Sequence, residues 1–185
     1  SDIDVLKSLS SREVICGYAE IFKSSLLESF KKFKYLDNNL KKIIKLNQPF
    51  IVNAILNSCN LKKKIVQKDE EEKDLRKVLN LGHTFAHAYE SYLGFSNKLN
   101  HGEAVIIGIK NALEFSKKYK ILKNKSYELI LNHLNKIPIN KSFKNIFQKK
   151  DIDGIISFMK SDKKNNSKDI NIIVIQNFGK IKTNY

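Results

Sequence analysis

Polar and apolar residues recur along most of this chain with the spacing of helices. The clearest pattern places four polar residues, Arg76, Asn80, His83 and His87, at intervals of 4, 3 and 4 positions. On a helix that turns about 100° per residue they fall within an arc of roughly 60°. The remaining circumference is mostly apolar, through Leu75, Val78, Leu79, Leu81, Phe85, Ala86, Ala88 and Tyr89. Because a helix that is apolar on most of its surface is buried, the pattern predicts a buried helix whose polar stripe lines the cleft of an enzyme.

The rest of the chain is predicted to be mainly α-helical. Ser10 and Glu13 form a capping-box pattern that opens a helix over 10–33, followed by helices over 38–45 and 49–67. Asp74 is the expected cap of the polar-striped helix, and Gly94 its expected end. Asn100 and Glu103 form a second capping-box pattern, for a helix over 100–119.

The C-terminal third continues with helices over 125–135 and 151–160. Short strands are expected over 170–176 and 180–183, on either side of an Asn-Phe-Gly turn at 177–179. The predicted fold class is therefore mainly α with a small C-terminal β-hairpin. Without a Pro-, Gly- or Ser-rich linker, residues 1–185 are expected to form a single domain.

Composition and charge narrow the possible functions. The chain has 185 residues, 42% of them hydrophobic, which is typical of a globular protein. No apolar run approaches the roughly 18 residues of a membrane span, and no signal-peptide pattern is present. The two cysteines, both expected to be buried thiols, form no paired framework, so a cytoplasmic setting is expected. The net charge of +15 permits nucleic-acid binding, but only Arg12 and Arg76 are arginine and no aromatic residues interleave with a basic strand.

Histidine spacing suggests a metal site. His83 and His87 would lie on one face of a helix, as in zinc proteases, although Thr84 stands where those enzymes carry glutamate. The alternative is a pair of hydrogen-bonded core histidines. His101 stands at a predicted helix start, where the helix dipole favours the neutral imidazole that binds metals. Gly82, inside the predicted helix, indicates close approach of a ligand or of a neighbouring backbone.

The first predicted helix contains a candidate carboxylate ligand, Glu20. Gly17, Glu20 and Lys23 follow one another at intervals of three and share a face with open space beside Glu20. The alternative is an ordinary exposed Glu–Lys pair. His133 fits no pattern and is expected to be a surface residue.

Taken together, these motifs resemble 3-dehydroquinate synthase. The resemblance runs from about residue 2 to 179 and rests on GYAEIFK at 17–23, on Lys62 and Val66 with the acidic run at 69–72, on RKVLNLGHTFAHAYE at 76–90 and on HGEAVIIG at 101–108. It covers only the C-terminal, metal-binding half of that family. The N-terminal domain, which carries most of the NAD site, is absent from these residues.

The resemblance implies roles for individual residues. It implies a divalent metal, Zn²⁺ or Co²⁺, held by Glu20, His83 and His101, an arrangement typical of catalytic sites. It also implies a pocket for an anionic sugar phosphate, with Lys62 and Arg76 at a carboxylate and Asn80 and His87 at a phosphate. Lys23, Glu72 and His87 are the implied catalytic residues. One of Lys163 and Lys164 is expected to contact the anionic substrate as well.

The reaction implied is the conversion of 3-deoxy-arabino-heptulosonate 7-phosphate to 3-dehydroquinate and phosphate in the shikimate pathway, a lyase reaction. NAD⁺ would oxidise a hydroxyl transiently, phosphate would be eliminated, and an internal aldol step would close the ring. The substrate phosphate can take the proton, so no strong protein base is required. The resemblance implies a homodimer for the full-length protein, and inactivity of this portion without its NAD domain.

Other functions remain open at the level of sequence. Related sugar-phosphate cyclases share the metal site but act on substrates without a carboxylate, and iron-activated polyol dehydrogenases fit the HGEAV block less well. A non-enzymatic, lysine-rich helical module that binds nucleic acid would need no metal. An inactive remnant of the enzyme is disfavoured by retention of all three proposed ligands.

Overall fold

The computed structural model describes residues 2–139, 146–161, 169–183 and 185. Its α-helices are α1 (Ser11–Glu28), α2 (Phe30–Ile44), α3 (Phe50–Lys68), α4 (His83–Tyr92), α5 (His101–Lys118), α6 (Asn124–Lys136) and α7 (Ile152–Ser161). Short 3-10 helices cover Asp4–Ser8, Leu75–Asn80 and Lys149–Asp151. The strands β1 (Val174–Asn177) and β2 (Lys180–Lys182) form an antiparallel hairpin. The predicted fold class, mainly α with a C-terminal hairpin, is confirmed.

Helices α1 and α5 lie at the centre of the fold. Helix α1 packs against α2, α3 and α5, and α5 also packs against α4, α6 and β1. Their facing surfaces are fully buried, as Phe22, Leu26, Ile109 and Leu113 illustrate. This arrangement places Glu20, in the middle of α1, close to His101 at the start of α5.

Local capping signals predicted several helix starts correctly. Ser10 and Glu13 form a complete capping box at α1, and Asn100 and Glu103 form one at α5. Pro49 immediately precedes α3. In the hairpin, Gly179 takes φ +71°, which suits glycine at a tight turn. The helices at 125–135 and 151–160 are also present.

The first predicted helix is wrong in extent. It ends at Glu28 because Ser29 is extended, with φ −173° and ψ 161°, and the Ser29 hydroxyl accepts a hydrogen bond from the Lys32 amide at the start of α2. Helix α2 therefore begins at Phe30, eight positions before the expected start of the second helix.

The continuous polar-striped helix is also wrong. The first part of the stripe forms the 3-10 helix Leu75–Asn80. Gly82 then adopts a left-handed conformation at φ +80°, and α4 begins at His83. A Cβ at Gly82 would lie 2.8 Å from the Ile109 backbone nitrogen, so α5 approaches the chain at this point. The expected backbone neighbour of Gly82 is therefore present, but it marks a break between two helices.

Asp69, and not the predicted Asp74, provides the side-chain cap of the 3-10 helix Leu75–Asn80. The Asp69 carboxylate accepts hydrogen bonds from the amides of Lys73, Asp74 and Arg76 at 2.9 Å each, which holds the pKa of Asp69 below its usual value. The Asp74 side chain makes no capping hydrogen bond.

Two single-residue expectations are also corrected. His133 is completely buried, stacked on Phe22 and hydrogen-bonded to Tyr18 and Asp37. Cys59 is exposed and Cys16 only partly buried. Among the helices the structure describes, none combines the length and apolar character needed to cross a membrane.

Candidate metal centre and substrate cavity

Glu20, His83 and His101 meet in space although they come from three different helices. The Glu20 Oε1 atom lies 3.5 Å from His83 Nε2 and 4.0 Å from His101 Nε2. One donor atom from each residue lies within 4.8 Å of the other two. One carboxylate and two imidazoles at this separation fit a single divalent cation with coordination positions left open.

Glu20 presents one oxygen to the centre. Its Oε2 atom pairs with the buried Lys23 ammonium at 2.6 Å, whereas its Oε1 atom is buried with no hydrogen-bond partner. A buried acceptor without a partner is costly unless a cation satisfies it. Burial alone would raise the pKa of Glu20, but Lys23 and the two histidines hold it below its usual value, so the carboxylate is ionised.

His83 is held in its neutral, metal-binding form. Its side chain is only 12% exposed, and burial together with the Lys23 charge lowers its pKa to about 4 despite the opposing effect of Glu20. Its Nδ1 atom lies 3.3 Å from the Leu81 carbonyl oxygen, so Nδ1 carries the proton and Nε2 faces the centre.

His101 faces the centre through the same ring nitrogen. Its Nδ1 atom lies 3.1 and 3.2 Å from the two carboxylate oxygens of Glu90, in the last part of α4. The sequence motif contains Glu90, but sequence reasoning assigned it no role, because its proximity to His101 depends on how α4 and α5 pack.

The candidate centre opens into a cavity of about 570 Å³. Its walls contain the three proposed metal ligands and five of the residues that the family resemblance implies for the substrate pocket, Lys23, Lys62, Glu72, Arg76 and Asn80, whereas His87 is not part of this lining. Ser24, Ser58, Cys59 and Leu79 complete the lining. Three cationic side chains, Lys23, Lys62 and Arg76, and two carboxylates therefore line one cavity, and this excess of positive charge suits an anionic ligand.

Hydrogen bonds within residues 70–80 stabilise one wall of the cavity. Asn80 donates a hydrogen bond of 2.6 Å to the Glu72 carboxylate, and the Arg76 guanidinium donates one of 2.5 Å to the Glu70 carbonyl. Glu72, which lines the cavity, takes φ +58°, a backbone conformation that is uncommon outside glycine. Arg76 and Asn80 therefore line the same cavity as His83, although they lie on a separate 3-10 helix and not on one continuous helix.

His87 lies beside the two proposed histidine ligands. Its ring centroid is 5.4 Å from that of His83 and 6.4 Å from that of His101. The helical spacing had paired His83 with His87 as possible ligands, whereas the donor atoms that cluster belong to His83, His101 and Glu20. The proposed substrate residues Lys163 and Lys164 lie outside the described residues.

Close contacts between helices set the positions of the three proposed ligands. A Cβ at Gly102 would lie 2.3 Å from the Cys16 Cα atom, so α1 and α5 touch through their backbones next to His101. A Cβ at Gly108 would lie 2.1 Å from the Gly82 carbonyl oxygen, so the start of α4 touches the middle of α5. Glycines at these contacts allow the three ligand-bearing helices to converge.

Comparison with known proteins adds a family relationship. Residues 17–165 match the family described as 3-dehydroquinate synthase C-terminal. The 3-dehydroquinate synthase of Pelagibacter ubique is 51% identical over 97% of this chain and 49% of its own length. That of a Thermoanaerobacter species is 36% identical over 97% of this chain and 49% of its own length. The chain therefore spans about half the length of these curated relatives.

Solved structures share the fold. A 2-epi-5-epi-valiolone synthase from Streptomyces hygroscopicus, with NAD⁺ and Zn²⁺ bound, matches with a TM-score of 0.81 and 20% identity over 100% of this chain and 50% of its own. A 2-deoxy-scyllo-inosose synthase complexed with carbaglucose-6-phosphate, NAD⁺ and Co²⁺ matches with a TM-score of 0.78 and 23% identity over 98% of this chain and 49% of its own.

Proposed function

The chain belongs to the 3-dehydroquinate synthase C-terminal family, and on that premise we propose that it forms the metal- and substrate-binding half of a 3-dehydroquinate synthase. The proposed reaction converts 3-deoxy-arabino-heptulosonate 7-phosphate to 3-dehydroquinate and phosphate, with NAD⁺ and Zn²⁺ or Co²⁺ as cofactors. The observation that carries the proposal is the meeting of Glu20, His83 and His101 at the wall of a cavity with three cationic side chains.

The proposed metal would be held by Glu20 Oε1 and by the Nε2 atoms of His83 and His101. The unpartnered Oε1 atom and the neutral state of His83 support this ligand set. When bound, a divalent ion supplies Lewis acidity toward substrate hydroxyl and carbonyl oxygens. Lys23 keeps Glu20 Oε2 occupied at 2.6 Å, which favours coordination through Oε1 alone.

The cationic side chains would orient the substrate. Arg76 presents a planar guanidinium suited to a carboxylate, and Lys62 adds a second positive charge on the exposed side of the cavity. Asn80 and His87 would donate N–H groups to the phosphate, with one Asn80 N–H already committed to Glu72. Holding both ends of the substrate fixes its reacting carbons relative to the metal and to NAD⁺, which supplies the hydride acceptor.

The remaining polar groups would act close to the reacting atoms. Lys23 and Glu72 both line the cavity, and we assign them, with His87, to the catalytic set. Proton transfer to the departing phosphate removes the need for a strong protein base. Lys163 or Lys164 is proposed as a further anion contact.

Turnover is proposed to require more than these 185 residues. The curated relatives are about twice as long, and we propose that an NAD-binding domain from outside this span completes the active site. We also propose that the complete enzyme is a cytoplasmic homodimer that does not bind nucleic acid.

Elemental analysis of the purified chain, combined with an activity assay, tests the proposal. We expect about one divalent ion per chain and no turnover of substrate with NAD⁺ alone. Turnover should appear when the N-terminal half of a homologous 3-dehydroquinate synthase is added. Absence of bound metal after incubation with Zn²⁺ or Co²⁺ would contradict the proposal, as would turnover by the chain alone.

A second candidate is another sugar-phosphate cyclase, because the solved structures that share the fold carry such activities in their names. Two cationic residues suited to a carboxylate, Lys62 and Arg76, favour the dehydroquinate reaction. Calorimetry with carboxylated and uncarboxylated sugar phosphates separates the two: tighter binding of the uncarboxylated ligand would favour the second candidate.

A further inference from the structure

Glu90 is a largely buried carboxylate with one evident partner. Its side chain is 12% exposed, and among the described residues its two oxygens make hydrogen-bond contacts to the His101 ring alone. It lies near the end of α4, whereas His101 is the first residue of α5. A carboxylate in this position needs an explanation, because burying it costs free energy unless its partner repays that cost.

The contact determines which nitrogen of His101 is available. An ionised carboxylate only accepts hydrogen bonds, so the ring must donate from Nδ1, which leaves the Nε2 lone pair free. Nε2 is the atom that lies 4.0 Å from Glu20 Oε1. The proton on Nδ1 and the direction of the ring are therefore both set by Glu90.

His101 depends on such support more than His83 does. The His83 side chain is 12% exposed and its Nδ1 atom is held by a backbone carbonyl, which no side-chain substitution removes. The His101 side chain is 50% exposed and follows a loop, so packing alone does not fix its ring. For His101, the Glu90 side chain on α4 accepts the Nδ1 hydrogen bond that the Leu81 backbone carbonyl accepts for His83.

We propose that Glu90 is a positioning residue for the metal centre: it holds His101 as the Nδ1-protonated tautomer with Nε2 directed at the cation shared with Glu20 and His83. This inference rests on the proposed function, since it concerns the same centre. Carboxylate partners of metal-binding histidines raise metal affinity by about 10–100-fold in general.

The first test needs no metal. Long-range ¹H–¹⁵N spectra of the metal-free chain at about pH 8.5, above the ordinary histidine pKa of about 6.5, report the tautomer of each imidazole. We expect the Nδ1–H form for His101 in the wild type and a mixture enriched in Nε2–H in Glu90→Ala, with His83 unchanged. An unchanged His101 tautomer in Glu90→Ala would overturn the inference.

The second test measures metal affinity. Competition with a chromophoric chelator gives the dissociation constants for Zn²⁺ and Co²⁺ in the wild type, Glu90→Gln, Glu90→Ala and the control Glu114→Gln. Glu114 is an exposed carboxylate hydrogen-bonded to Tyr127 on α6, remote from the centre. We expect losses of about 10–100-fold in Glu90→Ala, smaller losses in Glu90→Gln, whose amide oxygen still accepts a hydrogen bond, and none in Glu114→Gln.

The outcomes separate the inference from the proposed function. If the wild type binds no metal, the proposed function fails and the inference fails with it. If the wild type binds metal and Glu90→Ala binds it as tightly, only the inference is overturned. An equal loss in Glu114→Gln, or a Glu90→Ala chain whose metal-free melting temperature collapses while its His101 tautomer is unchanged, would assign Glu90 to general stability and also overturn it.

Discussion

Arg12 and Glu103 form a two-bond ion pair that joins the first turn of α1 to the first turn of α5. The Arg12 Nε atom donates to one Glu103 oxygen at 2.8 Å, and a terminal nitrogen donates to the other at 2.7 Å. Glu103 is 2% exposed and also accepts a hydrogen bond from the Asn100 amide. Because Glu20 lies on α1 and His101 begins α5, this pair helps fix the distance between two proposed metal ligands.

Replacing Arg12 with lysine should destabilise the protein although the charge is kept. A single ammonium cannot satisfy both Glu103 oxygens and also reach the Asn97 and Lys98 carbonyls that Arg12 contacts. We expect Arg12→Lys to lower the free energy of unfolding by about 1–3 kcal/mol, measured by urea denaturation. As a control, Lys7→Ala removes an exposed ion pair and should change it by less than about 0.5 kcal/mol. Equal effects of the two changes would contradict this account.

Adding one methyl group at Gly102 should separate α1 from α5. The new Cβ would lie 2.3 Å from the Cys16 Cα atom, which cannot move without shifting the α1 backbone. We expect Gly102→Ala to cost about 1–3 kcal/mol of stability and to weaken Zn²⁺ binding. The matched control, Gly17→Ala in the middle of α1, meets nothing within 4 Å. It should stabilise the helix by about 0.5–1 kcal/mol. Similar melting temperatures for the two variants would refute the prediction.

Metal content distinguishes the proposed ligand set, Glu20, His83 and His101, from the His83–His87 pair suggested by helical spacing. His83→Ala removes a proposed ligand and should abolish stoichiometric zinc, as measured by elemental analysis after dialysis. His87→Ala should retain zinc, because the clustered donor atoms belong to Glu20, His83 and His101. Stoichiometric zinc in His83→Ala would show that the ligand assignment is wrong.

Substitution of Arg76 should affect carboxylated ligands selectively. Arg76→Lys keeps a positive charge but loses the planar pair of donors that matches a carboxylate. We expect calorimetry to give about 10-fold weaker binding of a carboxylated sugar phosphate, equivalent to about 1.4 kcal/mol, and little change for an uncarboxylated one. Equal weakening of both ligands would place Arg76 away from the carboxylate.

The buried histidine His133 should make the stability of the metal-free protein depend on pH. Burial, reinforced by Lys136 and opposed by Asp37, holds the pKa of His133 below its ordinary value of 6.5. The unfolded chain therefore binds this proton at a higher pH than the folded chain does. The contribution of neutral His133 to the free energy of unfolding is fully present above about pH 6.5 and is lost as the pH falls below that value. We expect urea denaturation between about pH 8 and pH 5.5 to show a smaller decrease in stability for His133→Gln than for the wild type. His83, whose pKa is also lowered, is present in both proteins, so the difference in slope reports His133. Parallel pH profiles would contradict the prediction.

Local sequence patterns predicted the secondary structure well where the stabilising groups are neighbours in the chain. The capping boxes at Ser10 and Asn100 each satisfy free amides at a helix start through a residue three positions away. The starting points of the helices that follow them were therefore predictable without knowledge of the rest of the molecule. The residues proposed for the site were named from the resemblance to the 3-dehydroquinate synthase family, and the structure brings those that it describes to one region.

Long-range packing decided the features that the sequence did not reveal. The chain breaks at Gly82 because α5 approaches it at Gly108 and Ile109, and no local pattern distinguishes that break from a continuous helix. His133 is buried because Asp37 and Tyr18, 96 and 115 positions away, supply its hydrogen bonds. Glu90 faces His101 for the same kind of reason.

The sequence alone thus determined which chemical groups are available and where the helices with capping boxes begin, since both depend on residues within a few positions of one another. Only the tertiary structure decided which carboxylate holds His101 and where the striped segment breaks. These depend on distances between helices, and the contacts that set them, at Gly82, Gly102 and Gly108, become apparent only when the helices are packed.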